Sequence, residues 1–449
     1  MNIVGIICEY NPFHPGHAWH IGATRRALGG ECGVVCVMSG NFVQRGDFAV
    51  FNKHARAEMA VLGGADLVIE MPTPYALSSA EGFASAGVLL LDSLGICEFI
   101  SFGSESGSIH ELSAAADAIV SPEADTILRT WLDKGISYAA ARQKAADAVL
   151  GVRSDVFKSP NNLLGIEYLK AMSARGSRLK PMTFKRVGGT HDSTEGLSAR
   201  AIRERLLSGT AEPAPAAASS DMPTTSASGS NPDIVGRGLA PAAASSDMPP
   251  ASASCAHDPC PTESVWEREI VAGRGPVSMR MCEQAMLSRL RALDDFSIFP
   301  GTSEGLDRRF LRYAKTEPTI NGILEKVKTK RYAMSRLRRT LICACLGITT
   351  DYTREPPPYI RVLAMNQIGM KLLKAMRHKT TLPIITKPAA ALNLSGFAVK
   401  LFRKESSATD FYALAYPTAN ARTGSQEWHK SPVVIMQHPL NYLFCGCQH

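Results

Sequence analysis

The chain has 449 residues, 45% of them hydrophobic, which is enough to bury a large core and too many for one ordinary domain. A formal net charge of +8 suits a polyanionic partner, provided the cations gather on one surface. No run of 18 or more apolar residues and no signal peptide is evident, so the expectation is a cytoplasmic protein with no membrane partner.

Eleven cysteines follow no paired framework and form no C-x-x-C motif, which fits reduced thiols. The tail "CGCQH" gathers Cys445, Cys447 and His449, but a zinc site wants a fourth ligand and longer spacing. No metal ligand is assigned to a protein side chain.

In chain order, short apolar runs alternate with amphipathic stretches: "IVGIIC" then "HAWHIGATRRAL", "GVVCVM" then "NKHARAEMAVLGG", "DLVIE" then "SSAEGFASAGVLLLDSL", "CEFISFG" then "SIHELSAAADAIV". This βαβα rhythm predicts a doubly wound, Rossmann-like parallel sheet over residues 1–209. Ligands in such sheets bind beyond the carboxyl ends of the strands.

"CEYNPFHPGH" follows the first predicted strand, where a ligand would sit. In the H-P-G-H element glycine leaves room for a phosphate and proline stiffens the turn, so His14 and His17 can face one anion. The helix that follows adds unpaired N–H groups and the positive end of its dipole.

From about 210 to 264 the composition turns to Ala, Pro and Ser, with "APAAASSDMP" at 214–223 and again at 240–249. So few large apolar residues cannot offset the cost of ordering, and the segment reads as a disordered insertion. Residues 265–449 return to a helical pattern and are expected to form a second, mainly helical domain. Its stretch "KVKTKRYAMSRLRRTLICACLGI" holds seven cations, Lys326, Lys328, Lys330, Arg331, Arg336, Arg338 and Arg339, and no acid before Asp351. With Tyr332 among them as a surface for an unstacked base, this is a candidate RNA-binding segment.

The H-x-G-H element after a first strand resembles the nucleotidyltransferase superfamily, and "GIICEYNPFHPGH" is similar to the signature of the bacterial tRNA(Met) cytidine acetate ligases. The stretches 37–72, "FGSESG", "SPNNLLGIEYLKA", "KRVGGTHD", "LSARAIR" and "KTKRYAMSRLRR" resemble that family in order, so the likeness spans all but the insertion. Arg200, where the family more often has a small residue or threonine, is a local departure.

The resemblance implies a HIGH-type fold and a two-step ligase. Acetate would attack ATP, with Mg2+, to give acetyl-adenylate and pyrophosphate. The N4 amine of the wobble cytidine in elongator tRNA(Met) would then take the acetyl group, without acetyl-CoA. It implies His14 and His17 as catalytic residues, and an ATP loop of Ile7, Cys8, Glu9, Tyr10, Asn11, Pro12, Phe13, His14, Pro15, Gly16, His17 and His20. Gly103, Arg186, Ser198, Arg203 and one of Asn161 and Asn162 would complete the nucleotide site. Arg45 and Lys53 are candidates to neutralise pyrophosphate. Two other readings stand beside this one: a cofactor-forming adenylyltransferase, which needs no long basic C-terminal region, and a non-catalytic RNA-binding protein, which would not need both histidines.

Overall fold

A computed structural model describes residues 1–136, 138–151, 155–186, 198–209 and 261–436. Most of the 210–264 insertion and the Cys445, Cys447 and His449 tail lie outside those residues. The last residues of the expected insertion, 261–264, already belong to the helix Pro261–Val271.

The strands are β1 (Asn2–Cys8), β2 (Cys32–Ser39), β3 (Phe42–Val43), β4 (Asp47–Phe48), β5 (Leu67–Met71), β6 (Phe99–Ser104), β7 (Lys180–Lys185), β8 (Ile360–Asn366), β9 (Ile384–Ile385) and β10 (Val433–Ile435). The main sheet runs β10-β8-β5-β2-β1-β6-β7, with β9 beside β8, while β3 and β4 form a small antiparallel hairpin. Every neighbouring pair in the main sheet is parallel except β5–β8.

Period-2 geometry divides each central strand between two cores. Ile7, Val35 and Val37 join one apolar cluster; Val4, Ile6, Val34, Cys36 and Met38 join the other. All eight residues of β2 are buried, as expected of a parallel strand covered on both faces. At about 1.5–3 kcal/mol for each fully buried large aliphatic side chain, these layers are the main stabilising term.

The C-terminal half is mainly helical, but the expected division at 265 does not coincide with an edge of the sheet. Helices Glu283–Arg291, Leu306–Thr316, Ile320–Val327 and Met334–Leu346 pack together, after which the chain re-enters the sheet as β8 and β10. The segment "IRVLAMN" is fully buried, its Arg361 paired with Glu427 and its Asn366 donating to Asp66, and it docks antiparallel on β5.

The chain goes from β1 to β2 on one side, and β6 lies on the other side of β1. That reversal opens a crevice at the carboxyl ends of β1 and β6. Among the described residues no helix is long and apolar enough to cross a membrane, and Cys8, Cys32, Cys36, Cys97, Cys282, Cys343 and Cys345 are free thiols.

Candidate active site

The loop after β1 is clamped from within the protein. Arg56, fully buried, donates to the carbonyls of Glu9, Ser39, Gly40 and Phe51, tying the ends of β1 and β2 together. The Asn11 Oδ1 accepts the Val50 N–H (2.8 Å), and the Glu9 Oε1 accepts the Gln44 N–H (2.6 Å). Tyr10 adopts a left-handed backbone (φ 45°), places its ring 4.9 Å from Phe13 and 4.7 Å from His17, and is buried. Such a conformation in a bulky residue persists only where the surroundings enforce it.

This burial sorts the expected ATP loop. Ile7, Tyr10, Asn11, Pro12 and Phe13 face inward, so a ligand meets their backbone rather than their side chains. Cys8, Glu9, His14, Pro15, Gly16, His17 and His20 reach the surface to differing degrees.

His14 is the N-cap of the helix Pro15–Ala27. Its Nδ1 accepts the Gly16 N–H (3.1 Å), while the His17 Nδ1 accepts the His14 N–H (3.2 Å), a reciprocal capping box made from imidazoles. A Cβ on Gly16 would lie 2.9 Å from the His14 ring, so glycine is needed for this cap. Since both Nδ1 atoms accept, the proton of each neutral ring sits on Nε2. The two rings, 3.7 Å apart between centroids, thus offer paired Nε2–H donors at the helix N-terminus.

Burial lowers the His14 pKa to about 4, with Arg186 and Arg203 adding to the effect. It drives His17 well below the ordinary value, helped by His14, Arg186 and His20, and it takes His20 to about 4, helped by Arg186. All three rings are neutral at physiological pH. His20 Nε2 lies 3.0 Å from Ser101 Oγ, which meets Thr24 Oγ1 at 2.8 Å, so this ring is anchored to β6.

On the other wall, Gly103 ends near Arg186, whose Cγ would lie 3.4 Å from an added Cβ. Arg186 is exposed, and its N–H donates to Ser104 O (2.9 Å). Ser198 caps the helix Ala199–Ser208 by accepting the Ala201 N–H (3.2 Å), and Arg203 Nη1 donates to Asn11 O (2.6 Å). Asn161 and Asn162 brace the loop after β6: the Asn162 Oδ1 accepts the N–H groups of Glu105 and Ser106, while Asn161 Nδ2 and the Asn162 N–H donate to the Glu105 carboxylate. Glu105, not expected from sequence, is the hub of that turn; its only signal was its place inside "FGSESG".

Two expectations are corrected. Lys53 does not face a leaving pyrophosphate: it is 1% exposed and pairs with Glu70 (2.7 Å) and Glu427 (2.6 Å). Tyr332 offers no face to a base: it is 6% exposed, its hydroxyl donates to Glu304 O (3.3 Å) and Arg336 lies over its ring. Lys53 is turned inward at the first turn of the helix Lys53–Leu62, and Tyr332 lies in the bend between two helices, which the local charge pattern concealed.

The other cations of the basic segment divide by surroundings. Lys326 and Lys330 are exposed. Arg331 pairs with Glu304 (3.4 Å), Arg336 donates to Gly301 O and Ser303 Oγ, and Lys328 donates to Thr329 O and Tyr332 O. Arg338 and Arg339 instead turn toward the β3–β4 hairpin, where Arg45 is exposed. Sequence reasoning passed over Arg308 and Arg312, exposed on the neighbouring helix Leu306–Thr316, although "LDRRFLRYAK" shows them.

The donor set along the crevice consists of imidazoles, guanidiniums and backbone amides, which recognise phosphate. Among the described residues no three His, Cys, Asp or Glu side chains come together as a metal site.

Comparison with known proteins agrees with this geometry. A family model described as HIGH Nucleotidyl Transferase matches residues 1–240 and 242–427. The tRNA(Met) cytidine acetate ligase of Acetivibrio thermocellus is 34% identical, covering 97% of this chain and 100% of its own length, and that of a Thermoanaerobacter species is 35% identical over 94% and 97%. Crystal structures of Thermotoga maritima TmcAL, one bound with alpha-thio ATP and one apo, superpose with a TM-score of 0.80 at 29% identity, covering 97% of this chain and 100% of theirs.

Proposed function

The chain belongs to the HIGH nucleotidyl transferase family, among the tRNA(Met) cytidine acetate ligases, and from that premise we propose that it is an ATP-dependent ligase that acetylates the wobble cytidine of elongator tRNA(Met). The observation that supports the reading is the imidazole capping box, which leaves two Nε2–H donors at a helix N-terminus within electrostatic reach of Arg186 and, for His14, of Arg203.

In the first step a carboxylate oxygen of acetate attacks the α-phosphorus of ATP. The α–β bridging P–O bond breaks, and pyrophosphate leaves with its electron pair. Charge grows on the α-phosphate oxygens as the attack proceeds, and the His14 and His17 donors stabilise it without reorganising. Their neutral state matters: a neutral donor costs nothing to keep beside two guanidiniums, and the arriving phosphate supplies the anion those guanidiniums lack. In the second step the cytidine N4 attacks the acyl carbon, AMP departs, and N4 loses one proton.

Magnesium enters with the nucleotide as part of the substrate, screening the triphosphate charge. Among the described residues no three His, Cys, Asp or Glu side chains come together to hold the ion on the protein. The RNA partner is supported by the exposed Lys326 and Lys330 and by Arg338 and Arg339 beside the hairpin. A tRNA substrate implies a cytoplasmic location.

The test is pyrophosphate exchange into ATP with and without acetate, followed by acetyl transfer to a tRNA(Met) transcript. Acetate-dependent exchange that falls by about 10²–10³ in His17→Ala supports the reading. ATP binding without exchange under any small carboxylate overturns it.

A further inference from the structure

Between the ATP loop and the basic helix Met334–Leu346 lies a notch where the guanidiniums of Arg45, Arg203 and Arg338 outnumber the two carboxyls they feel, Glu9 and Asp47. Asp47, at the start of β4, feels Arg203 from one side and Arg338 from the other. Glu9, across the notch, feels Arg56, Arg45 and Arg203. Burial shifts both carboxyls upward, against the pull of these arginines. Among the described residues none of Arg45, Arg203 and Arg338 pairs with a carboxylate, and Arg203 and Arg45 repel each other. Among the described residues the Arg338 Nε, itself buried, has no hydrogen-bond partner. A buried donor left unmatched is costly unless a ligand completes it.

The notch is also rigid. Gly46 has φ 75°, and an added Cβ would lie 2.6 Å from both the Arg338 Cβ and the Arg339 N, so the basic helix rests directly on the hairpin turn. Arg339 Nη1 donates to Gln44 O (3.0 Å), and the Gln44 N–H donates to Glu9 Oε1 (2.6 Å). The basic helix and the ATP loop are therefore held at a set separation through one residue.

We propose that Arg338 and Arg45, sharing Arg203, bind the RNA backbone phosphate beside the target cytidine and so fix its N4 against the acetyl-adenylate. Planar guanidiniums hold a phosphate in a defined orientation, which a lysine ammonium does not. The same phosphate chemistry could come from the β- or γ-phosphate of ATP. The RNA backbone is favoured because Arg338 belongs to the same basic segment as the exposed Lys326 and Lys330, whereas the α-phosphate donors lie at the N-terminus of the helix Pro15–Ala27. The assignment rests on the acetate-ligase reading, and Arg338 and Arg45 act in it as positioning residues.

The experiment compares Arg338→Gln, Arg338→Lys and Arg45→Gln with wild type in acetate-dependent pyrophosphate exchange and in acetyl transfer to a tRNA(Met) transcript over a series of KCl concentrations. For Arg338→Gln, transfer kcat/KM should fall at least about tenfold further than exchange. The slope of its log against log[KCl] should become shallower by about 0.7–0.9, as for one lost phosphate contact. Arg338→Lys should recover the salt slope but only part of the rate. Arg45, being exposed, gives a second variant free of packing effects, with the same sign and a smaller size. Equal losses in exchange and transfer would assign the phosphate to ATP and overturn the proposal, as would unchanged transfer. Wild type without acetate-dependent exchange would instead remove the ligase reading on which the proposal stands.

Discussion

Two sets of cations lie along the carboxyl edge of the same sheet, and they are treated oppositely. Near β5 and β8, Lys53 and Arg361 are each 1% exposed and are met by carboxylates: Lys53 by Glu70 and Glu427, Arg361 by Glu427 (3.3 Å). Near β1, β6, β7 and the β3–β4 hairpin, Arg186, Arg203, Arg45 and Arg338 have no carboxylate ion pair among the described residues; Arg203 donates to a backbone carbonyl and feels Asp47 and Glu9 only at longer range. A buried cation with its own counterions holds the fold together, while one left without an anion is available to a substrate. Proximity in sequence does not distinguish them; the number of carboxylates in reach does.

The comparison breaks most sharply at Lys53. Lys53→Met leaves Glu70 and Glu427 buried and under-compensated, which should cost about 3–5 kcal/mol in urea unfolding. Arg203→Met, by contrast, should change stability by less than about 1 kcal/mol while lowering exchange by roughly 10². A Lys53→Met protein with near-normal stability and lost exchange would reverse the two assignments.

Next in size is the separation of cap from catalysis at His14. His14→Asn keeps an N-cap acceptor and loses the Nε2 donor, whereas His14→Ala loses both. Exchange should fall about 10²–10³ in each, corresponding to about 2.7–4 kcal/mol of transition-state stabilisation. Only the alanine variant should also unfold about 1 kcal/mol more easily. If asparagine restored exchange, His14 would be a cap and nothing more.

The pH dependence carries opposite signs in the two halves of the buried network. Burial takes His54 to about 3, and both its ring nitrogens lack hydrogen bonds among the described residues. Its folded state therefore binds fewer protons than the unfolded chain between about pH 3 and the ordinary value of 6.5, and stability is lost as pH falls through that window. Glu405 goes the other way: burial and the neighbouring Glu70 raise it to about 8, so stability declines as pH rises from 4.5 toward 8. His54→Leu should flatten the acid limb of a stability–pH curve and Glu405→Gln the alkaline limb, each by at most about 1.4 kcal/mol per pH unit. Curves that stay parallel to wild type would remove both groups from the linkage.

The parallel sheet and its crevice were legible because their signals are local: apolar runs, the turn after β1, and the H-P-G-H spacing that becomes the capping box at His14 and His17. Where legibility failed, the deciding partner lay far along the chain. Lys53 looks like a charged helix start until Glu427 arrives from the C-terminal half, and Asp47 is unremarkable until Arg338 is brought across it. Likewise "IRVLAMN" becomes part of the first sheet only because β5 presents an edge for it. Period and composition describe a residue's own element; they do not say which distant element will cover it.

The smallest effects sharpen the same distinction within the basic segment. Tyr332 and Lys330 are two residues apart, yet one is buried under Arg336 and the other is exposed. Tyr332→Phe keeps the ring and removes the hydroxyl that donates to Glu304 O, so it should cost about 0.5–1.5 kcal/mol in stability. Its transfer kcat/KM for tRNA should stay within about twofold of wild type, because the ring has no face open to a base. Lys330→Ala should leave stability within about 0.5 kcal/mol. Its signature is electrostatic: a few-fold weaker tRNA KM at low salt, converging on wild type as KCl rises, because screening removes a contact that has already been deleted. Were Tyr332→Phe to show that salt-dependent loss and Lys330→Ala to show none, the RNA would have to meet the segment from its packed side, which would require the helices around Tyr332 to open.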